Sequence, residues 1–346
     1  MMNKGCKYGT HRVITPKGVL PQPATKISND MNIFDNEILI DVLALNIDSA
    51  SFTQIEEEAG HDIEKIKSKI IKIVAEKGKM QNPVTGSGGM LIGTVEKIGD
   101  TLDGKIDLKI GDKISTLVSL SLTPLRIDEI IEIKPDIDRV IIKGKAILFE
   151  SGLYVKLPKD MDENLALAAL DVAGAPAQVA KLVKPGQSVL LLGAAGKSGM
   201  LCSYEAVKRV GPTGNVIGLV RNEEEATRLR RLGLRMQIVI EDARNAINVM
   251  NTALAHNNGC EVDVAINMVN IPNTEMSTIL PVKDDGIVYF FSMSTSFTKA
   301  ALGAEGIGKD ITMIVGNGYT KGHAEITLEE LRENAILRKI FEELYI

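Results

Sequence analysis

The pattern of apolar and polar positions changes character several times along the chain. Up to residue 55 it alternates in short runs, and Glu37-Ile38-Leu39-Ile40-Asp41-Val42 reads as a half-buried strand. From 61 to 77 the period lengthens: Ile63, Ile66, Ile70, Ile73 and Val74 recur at helical spacing among lysines and glutamates. This predicts one amphipathic helix with a solvated polar face. Asn82-Pro83 closes it. Strands and glycine turns resume over 83–118, with Gly93 to Gly99 and Ile110 to Ile114 as the clearest cases. Ile-rich runs at 127–133 and 139–142 predict further strands. The first 150 residues therefore read as mainly β with one inserted helix.

After Leu157-Pro158 the pattern alternates between element types. Leu165 to Leu182 is Ala-rich and helical, and Ser188-Val189-Leu190-Leu191-Leu192 is wholly apolar, as in a strand buried on both faces of a parallel sheet. A glycine turn and a helix over 199–210 follow, then a strand over 215–220. Asn222 opens the next helix with Glu225 as a capping box, and Gly233 ends it. Strands at 236–240, 262–267 and 286–292, with a helix at 242–257, complete an alternation that predicts a doubly wound α/β fold from about 155 to 300. A glycine-rich segment, 303–322, precedes a last helix, which a second capping box, Thr327 with Glu330, is expected to open.

Composition narrows the function. The length of 346 residues predicts two domains. A net charge of −5, no Trp and 4% aromatic residues argue against a nucleic-acid surface or stacking platform. No apolar run approaches the roughly 18 residues of a membrane helix, and the polar, basic start lacks a signal-peptide core. Cys6, Cys202 and Cys260 form no CxxC pair, which fits a reducing cytoplasm.

The firmest chemical feature is Gly193-Ala194-Ala195-Gly196-Lys197-Ser198-Gly199, leading into Met200, between a buried strand and a helix. Small residues there let the backbone approach a pyrophosphate, and the helix N-terminus offers free N–H groups. Its GxxGxxG spacing departs from GxGxxG, but its place between strand and helix makes it a nicotinamide-dinucleotide turn. The strand after it ends in Val220, Arg221 and Asn222, with no carboxylate where an NAD-preferring fold has one. Arg221 can pair with a 2′-phosphate, so NADP is expected, with NAD possible. Asn267, Met268, Val269, Phe291, Ser292 and Met293 close later strands, where the nicotinamide crevice is expected.

This order of parts resembles the medium-chain dehydrogenase/reductase superfamily. Lys109-Ile110-Gly111-Asp112-Lys113-Ile114 and Val183 to Leu190 carry the most specific likeness. The resemblance implies a Rossmann domain over 156–300 and a β-rich GroES-like catalytic domain built from 1–155 plus 301–346. It also implies a homodimer. Asp48-Ser49 stands where the zinc enzymes place a cysteine, Ser87-Gly88 where they place His-Glu, and His11, His61, His256 and His323 are scattered. The chain is read as zinc-free.

Three unusual strings bring a closer resemblance. These are Gly5 to Ala24, Leu45 to Phe52, and Gly316-Asn317-Gly318-Tyr319-Thr320-Lys321-Gly322-His323-Ala324-Glu325. They are similar to the L-erythro-3,5-diaminohexanoate dehydrogenases. That resemblance implies oxidative deamination of (3S,5S)-3,5-diaminohexanoate to 5-amino-3-oxohexanoate and ammonium in lysine fermentation. By family position, Asp48, Ser51, Ser87 and Asp171 are the candidate catalytic residues, with Asp48 or Asp171 holding an ammonium or acting as base. His61, Asn317, Tyr319, Lys321 and His323 are candidate substrate contacts, Lys321 for the carboxylate. Two other readings stay open: a zinc-free NADPH-dependent quinone or enone reductase, and a non-catalytic NADP(H)-binding regulator.

Overall fold

The structure, a computed structural model, describes residues 3–292, 294–316 and 318–346. Two units divide between Lys159 and Asp160.

The first unit contains β1 (Val13–Thr15), β2 (Lys26–Ile27), β3 (Glu37–Asn46), α1 (Ser49–Ala59), α2 (Ile63–Lys77), β4 (Met90–Ile98), β5 (Lys113–Thr116), β6 (Leu125–Lys134), β7 (Arg139–Phe149) and β8 (Tyr154–Lys156). Six strands form an antiparallel sheet in the order β6-β7-β3-β4-β5-β8. The helix expected at 61–77 is α2, and its Ile66, Ile70 and Val74 are buried in the unit's core. Each such side chain contributes about 1.5–3 kcal/mol of apolar transfer.

Two features go beyond the sequence reading. A second helix, α1, lies in the stretch read as strands, capped by Asp48 and ended by Gly60 in a left-handed conformation. It buries Phe52, Ile55 and Ala59 in the core that α2 also serves. The N-terminal string, in turn, is structural: Arg12 and Glu37 form a buried two-point ion pair at 2.7 and 2.6 Å. His11 adds a contact to Glu37 at 2.8 Å, and the remaining Arg12 donors reach the carbonyls of Asp30 and Asn32. A buried charge pair survives only when so fully hydrogen-bonded. Burial opposes ionisation of Glu37, yet the Arg12 and His11 contacts hold its carboxyl below the usual range.

The second unit contains α3 (Glu163–Leu170), α4 (Gly174–Leu182), β9 (Ser188–Leu192), α5 (Lys197–Val210), β10 (Asn215–Val220), α6 (Glu223–Arg231), β11 (Gln237–Ile240), α7 (Ala246–Ala255), β12 (Val262–Asn267), α8 (Glu275–Ile279), β13 (Val282–Phe290), α9 (Phe297–Ile307), β14 (Thr312–Val315), α10 (His323–Glu333) and α11 (Ala335–Tyr345). All six strands are parallel, in the order β11-β10-β9-β12-β13-β14. This is the doubly wound order of a dinucleotide-binding sheet, with the switch point between β9 and β12. Every residue of β9 is buried, as its apolar run predicts.

The Ala-rich stretch is two helices bent by 54°, not one. Pro176 lies in the first turn of α4, and without an N–H it cannot extend the preceding helix's bonding through Val172. The segment read as glycine-rich, 303–322, holds the last five residues of α9 and all of β14. Residues 301–346 therefore lie with the second unit rather than with the β-rich one, because β14 pairs with β13 along its whole length. The expected capping box at Thr327 is also absent. α10 begins a turn earlier, after Gly322, and Thr327 sits mid-helix with its hydroxyl donated to the Ala173 carbonyl at 3.4 Å. Among the described residues no single helix is long and apolar enough to cross a membrane.

Candidate active site

The glycine turn follows β9 directly. Gly193 adopts φ 81°, and its N–H and that of Ala194 donate to the Leu219 carbonyl of β10 at 3.0 and 3.1 Å. Gly218 in that strand leaves room for Ala194, whose Cβ would lie 3.0 Å from a side chain there. The glycines have different duties. A Cβ on Gly199 would meet the Gly193 oxygen at 2.1 Å, so this position must be glycine for the turn to close. A Cβ on Gly196 would meet nothing nearer than 3.6 Å, and Gly196 is exposed. α5 starts there without a side-chain cap, leaving backbone donors and the positive end of the helix open. These residues fit a dinucleotide pyrophosphate. Met200 is fully buried, a packing residue beneath the turn.

Strand ends gather around the turn. Met268 donates its N–H to Leu192 at 3.0 Å, and the Val269 side chain lies beside Gly193. Phe291 and Ser292 both donate N–H groups to the Asn267 carbonyl. The Asn267 side chain is itself fully occupied: it is buried, donates to Thr274 and Thr278, and accepts from Val269 N–H at 3.0 Å. It shapes the strand-end loop rather than offering a free amide. Met293 lies outside the described residues.

At the end of β10, Asn222 caps α6 by accepting the Glu225 N–H at 2.9 Å, as expected. The reciprocal bond shifts by one residue, since the Glu225 carboxylate accepts from Arg221 N–H at 3.0 Å. It also pairs with the Arg221 guanidinium at 2.5 Å. Arg221 is 79% exposed. Glu225 thus puts a carboxylate beside the strand end, which the sequence read as free of one.

In the first unit, β3 delivers Asp48 to the start of α1. Asp48 Oδ1 accepts the Ser51 N–H at 3.1 Å, and its Oδ2 is buried with no partner. The Ser51 hydroxyl, fully buried, meets Thr85 Oγ1 at 2.5 Å, and Ser87 N–H donates to the same oxygen at 3.3 Å. Asn82 organises this loop. Its amide donates to the Ser51 carbonyl and Gln54, and its oxygen accepts from Val84 and Thr85. Gly89, at φ 92°, allows the loop to approach β3, for a Cβ there would lie 2.0 Å from the Asn46 oxygen. Asp48, Ser51 and Ser87 are thus neighbours on one loop system, with Asn82 and Thr85 as members the sequence reading passed over. His61 stands apart at the α1–α2 corner, 72% exposed and 3.3 Å from Glu56.

Asp171, the other candidate carboxylate, belongs to the second unit. It is exposed, ends α3, and pairs with Lys197 of the glycine turn at 2.8 Å. The loop after β14 lies along α4. Gly174 is so close to Gly318 that a Cβ would come within 2.7 Å, and Thr320 donates to Gln178 at 2.8 Å. Tyr319 packs edge-on against His323 with ring centres 5.2 Å apart. Burial of His323 holds its imidazole below the usual value, and Glu325 opposes this. Lys321 is exposed, and Asn317 lies outside the described residues. Among the described residues no three His, Cys, Asp or Glu side chains gather as a metal site.

A family model described as "L-erythro-3,5-diaminohexanoate dehydrogenase N-terminal domain" matches residues 11–158. A curated relative of that enzyme name from Fusobacterium nucleatum subsp. nucleatum is 78% identical over 345 residues, covering 100% of both chains. Another from Acetoanaerobium sticklandii is 74% identical over 343 residues, covering 99% of this chain and 100% of its own. Among solved structures, a mycobacterial quinone oxidoreductase aligns with a TM-score of 0.54 at 15% identity, over 89% of this chain and 81% of its own. The Escherichia coli quinone oxidoreductase complexed with NADPH gives 0.50 at 17%, over 90% and 80%. At such low identity the two structures speak for the fold alone.

Proposed function

This chain belongs to the L-erythro-3,5-diaminohexanoate dehydrogenase family, and from that membership we infer that it oxidises the 3-amino carbon of (3S,5S)-3,5-diaminohexanoate. The products are 5-amino-3-oxohexanoate, ammonium and reduced nicotinamide cofactor. The observation that carries this is 78% identity over the full length of a relative named for the activity.

The chemistry sets three tasks. The C3 ammonium must first lose a proton, since a lone pair on nitrogen drives hydride loss from carbon. When bound, the nicotinamide supplies the acceptor for that hydride. Water then adds to the resulting iminium carbon, and ammonium leaves as the ketone forms. We assign the proton-accepting role to Asp48, because its buried Oδ2 is unpaired while Asp171 is already neutralised by Lys197. The Ser51 and Ser87 region would orient the amine and the attacking water, and Asn82 would hold that loop in place. Tyr319, Lys321 and His323 belong to the proposal as substrate-side groups. His61 joins them as an exposed group at the α1–α2 corner, with its imidazole 3.3 Å from Glu56.

For the cofactor, Gly193 to Gly199 would hold the pyrophosphate, and the loops at 267–269 and 291–292 would frame the nicotinamide. We favour NADP over NAD, with Arg221 meeting the 2′-phosphate and Glu225 orienting it from behind. A cytoplasmic homodimer acting in lysine fermentation completes the reading. The test is a spectrophotometric assay of the purified protein with the diamino acid and each cofactor, paired with ammonium release. Equal amounts of ammonium and reduced cofactor are expected. Cofactor binding without turnover of the diamino acid overturns the assignment.

A further inference from the structure

The second unit carries a cleft of about 270 Å³ between α4, the ends of β13 and β14, and the loop that follows β14. That is near the lower end of the range for small-molecule sites. Its walls combine two buried polar side chains with two exposed lysines. Tyr289 is 2% exposed and Gln178 8% exposed, yet both line the cleft. Gly316 keeps the space beside the Tyr289 hydroxyl open, since a Cβ there would approach that oxygen to 3.1 Å.

The donor set is one-sided. Thr320 donates its hydroxyl to Gln178 Oε1 at 2.8 Å, which engages the amide oxygen and leaves its NH₂ as a donor. Lys181 and Lys321 contribute ammonium groups, and among the described residues neither has a carboxylate partner. Among the described residues no acidic side chain lines the cleft. Ile314, Val315 and the Tyr319 ring supply an apolar wall. Four donor groups converging on one cavity, with no carboxylate among the lining side chains, favour an anion. The apolar wall selects one with a short hydrocarbon stem.

We propose that this cleft is a binding site for a small organic carboxylate, held by Lys181, Lys321, the Gln178 amide and the Tyr289 hydroxyl. The carboxylate can belong to the amino-acid substrate or to a separate organic acid. The cleft shares Tyr319 and Lys321 with the substrate-side reading above, but anion binding is measured without turnover and stands or falls independently of it.

The experiment titrates hexanoate into the full-length protein by calorimetry, for the wild type, Tyr289→Phe and the double variant Lys181→Gln/Lys321→Gln. Circular dichroism confirms that the variants fold. Saturable binding by the wild type is expected, weakened about tenfold or more in the double variant and to a smaller degree in Tyr289→Phe. KM for the diamino acid is then measured in the same variants. A rise matching the loss of hexanoate affinity identifies the substrate carboxylate as the ligand. An unchanged KM with lost hexanoate binding identifies a separate organic acid. Absence of saturable hexanoate binding, or equal affinity in the double variant, overturns the proposal.

Discussion

At the scale of single residues, Asp48 combines two roles that one substitution separates. Its Oδ1 caps α1, and its buried Oδ2 has no partner. Asparagine caps a helix as well as aspartate does, so Asp48→Asn keeps the helix start and removes only the base. The melting temperature is expected to stay within a degree or two while kcat falls by about 10²-fold or more. Full turnover in this variant would move the base elsewhere, with Asp171→Asn as the next measurement. The glycine turn permits a similar separation. Gly199→Ala forces a Cβ into the Gly193 carbonyl, and a loss of about 1–3 kcal/mol in unfolding free energy is expected from denaturant titration. Gly196 has φ −73°, which alanine adopts freely, and no protein atom crowds its Cβ. Gly196→Ala is therefore expected to leave stability unchanged and weaken cofactor binding about tenfold. Unaltered cofactor affinity would mean that the space above Gly196 is not where the pyrophosphate lies.

At the scale of elements, α5 and α10 meet across two buried acids. Glu330 is 1% exposed with both carboxylate oxygens unpaired, and Glu205 keeps one oxygen unpaired beside its Arg209 contact. Burial first, and then the charge of Glu205, push the Glu330 carboxyl well above its ordinary 4.5. The folded state then keeps a proton that the unfolded chain has already released, so stability falls as pH rises from that ordinary value toward the raised one. Glu330→Gln removes the penalty. Its gain in melting temperature over the wild type is expected to grow between about pH 5 and pH 8, and a gain independent of pH would refute this origin. The turn from β10 into α6 carries the cofactor choice. Arg221→Asp places two carboxylates there with Glu225, so the ratio of kcat/KM for NADP over NAD should drop about tenfold or more. An unchanged ratio removes Arg221 from the 2′ position.

The same elements show what the chain made legible. β9, its glycine turn and β12 were readable because a wholly apolar run bounded by glycine has few other folded states. α1 was equally signalled, by Asp48, Phe52, Ile55, Ala59 and Gly60 at cap and helical spacings, but the Glu56-Glu57-Glu58 run masked its period. The break at Pro176 and the sixth strand were harder to see. Alanine-rich sequence continues across the break, and β14 is a four-residue edge strand among glycines. Glu225 was legible as the capping-box partner of Asn222, whereas its grip on Arg221 appears only once the turn is folded. Asn82 was read as a terminator, and its four hydrogen bonds depend on a loop brought back from residues 84 and 85.

At the scale of the whole molecule, the division of the chain is contiguous. A returning tail would have made the first unit discontinuous and left the second as a five-stranded sheet. With β14 closing the order β11-β10-β9-β12-β13-β14, the second unit holds a complete sheet from one uninterrupted stretch. A core that includes Leu190, Leu192, Ile217, Ala265 and Phe290 forms entirely within it. The glycine turn, its flanking strand ends and the uncapped start of α5 lie there too. A fragment spanning 160–346 therefore has its own core and its own cofactor turn, the two requirements for independent folding and binding. It is expected to unfold in one cooperative calorimetric transition and to raise the fluorescence of reduced cofactor on binding, a signal that no tryptophan obscures. It should show no turnover of the diamino acid, because Asp48, Ser51 and Ser87 are gone. A fragment that melts without a transition would show instead that residues 1–159 are needed to complete the fold of the sheet.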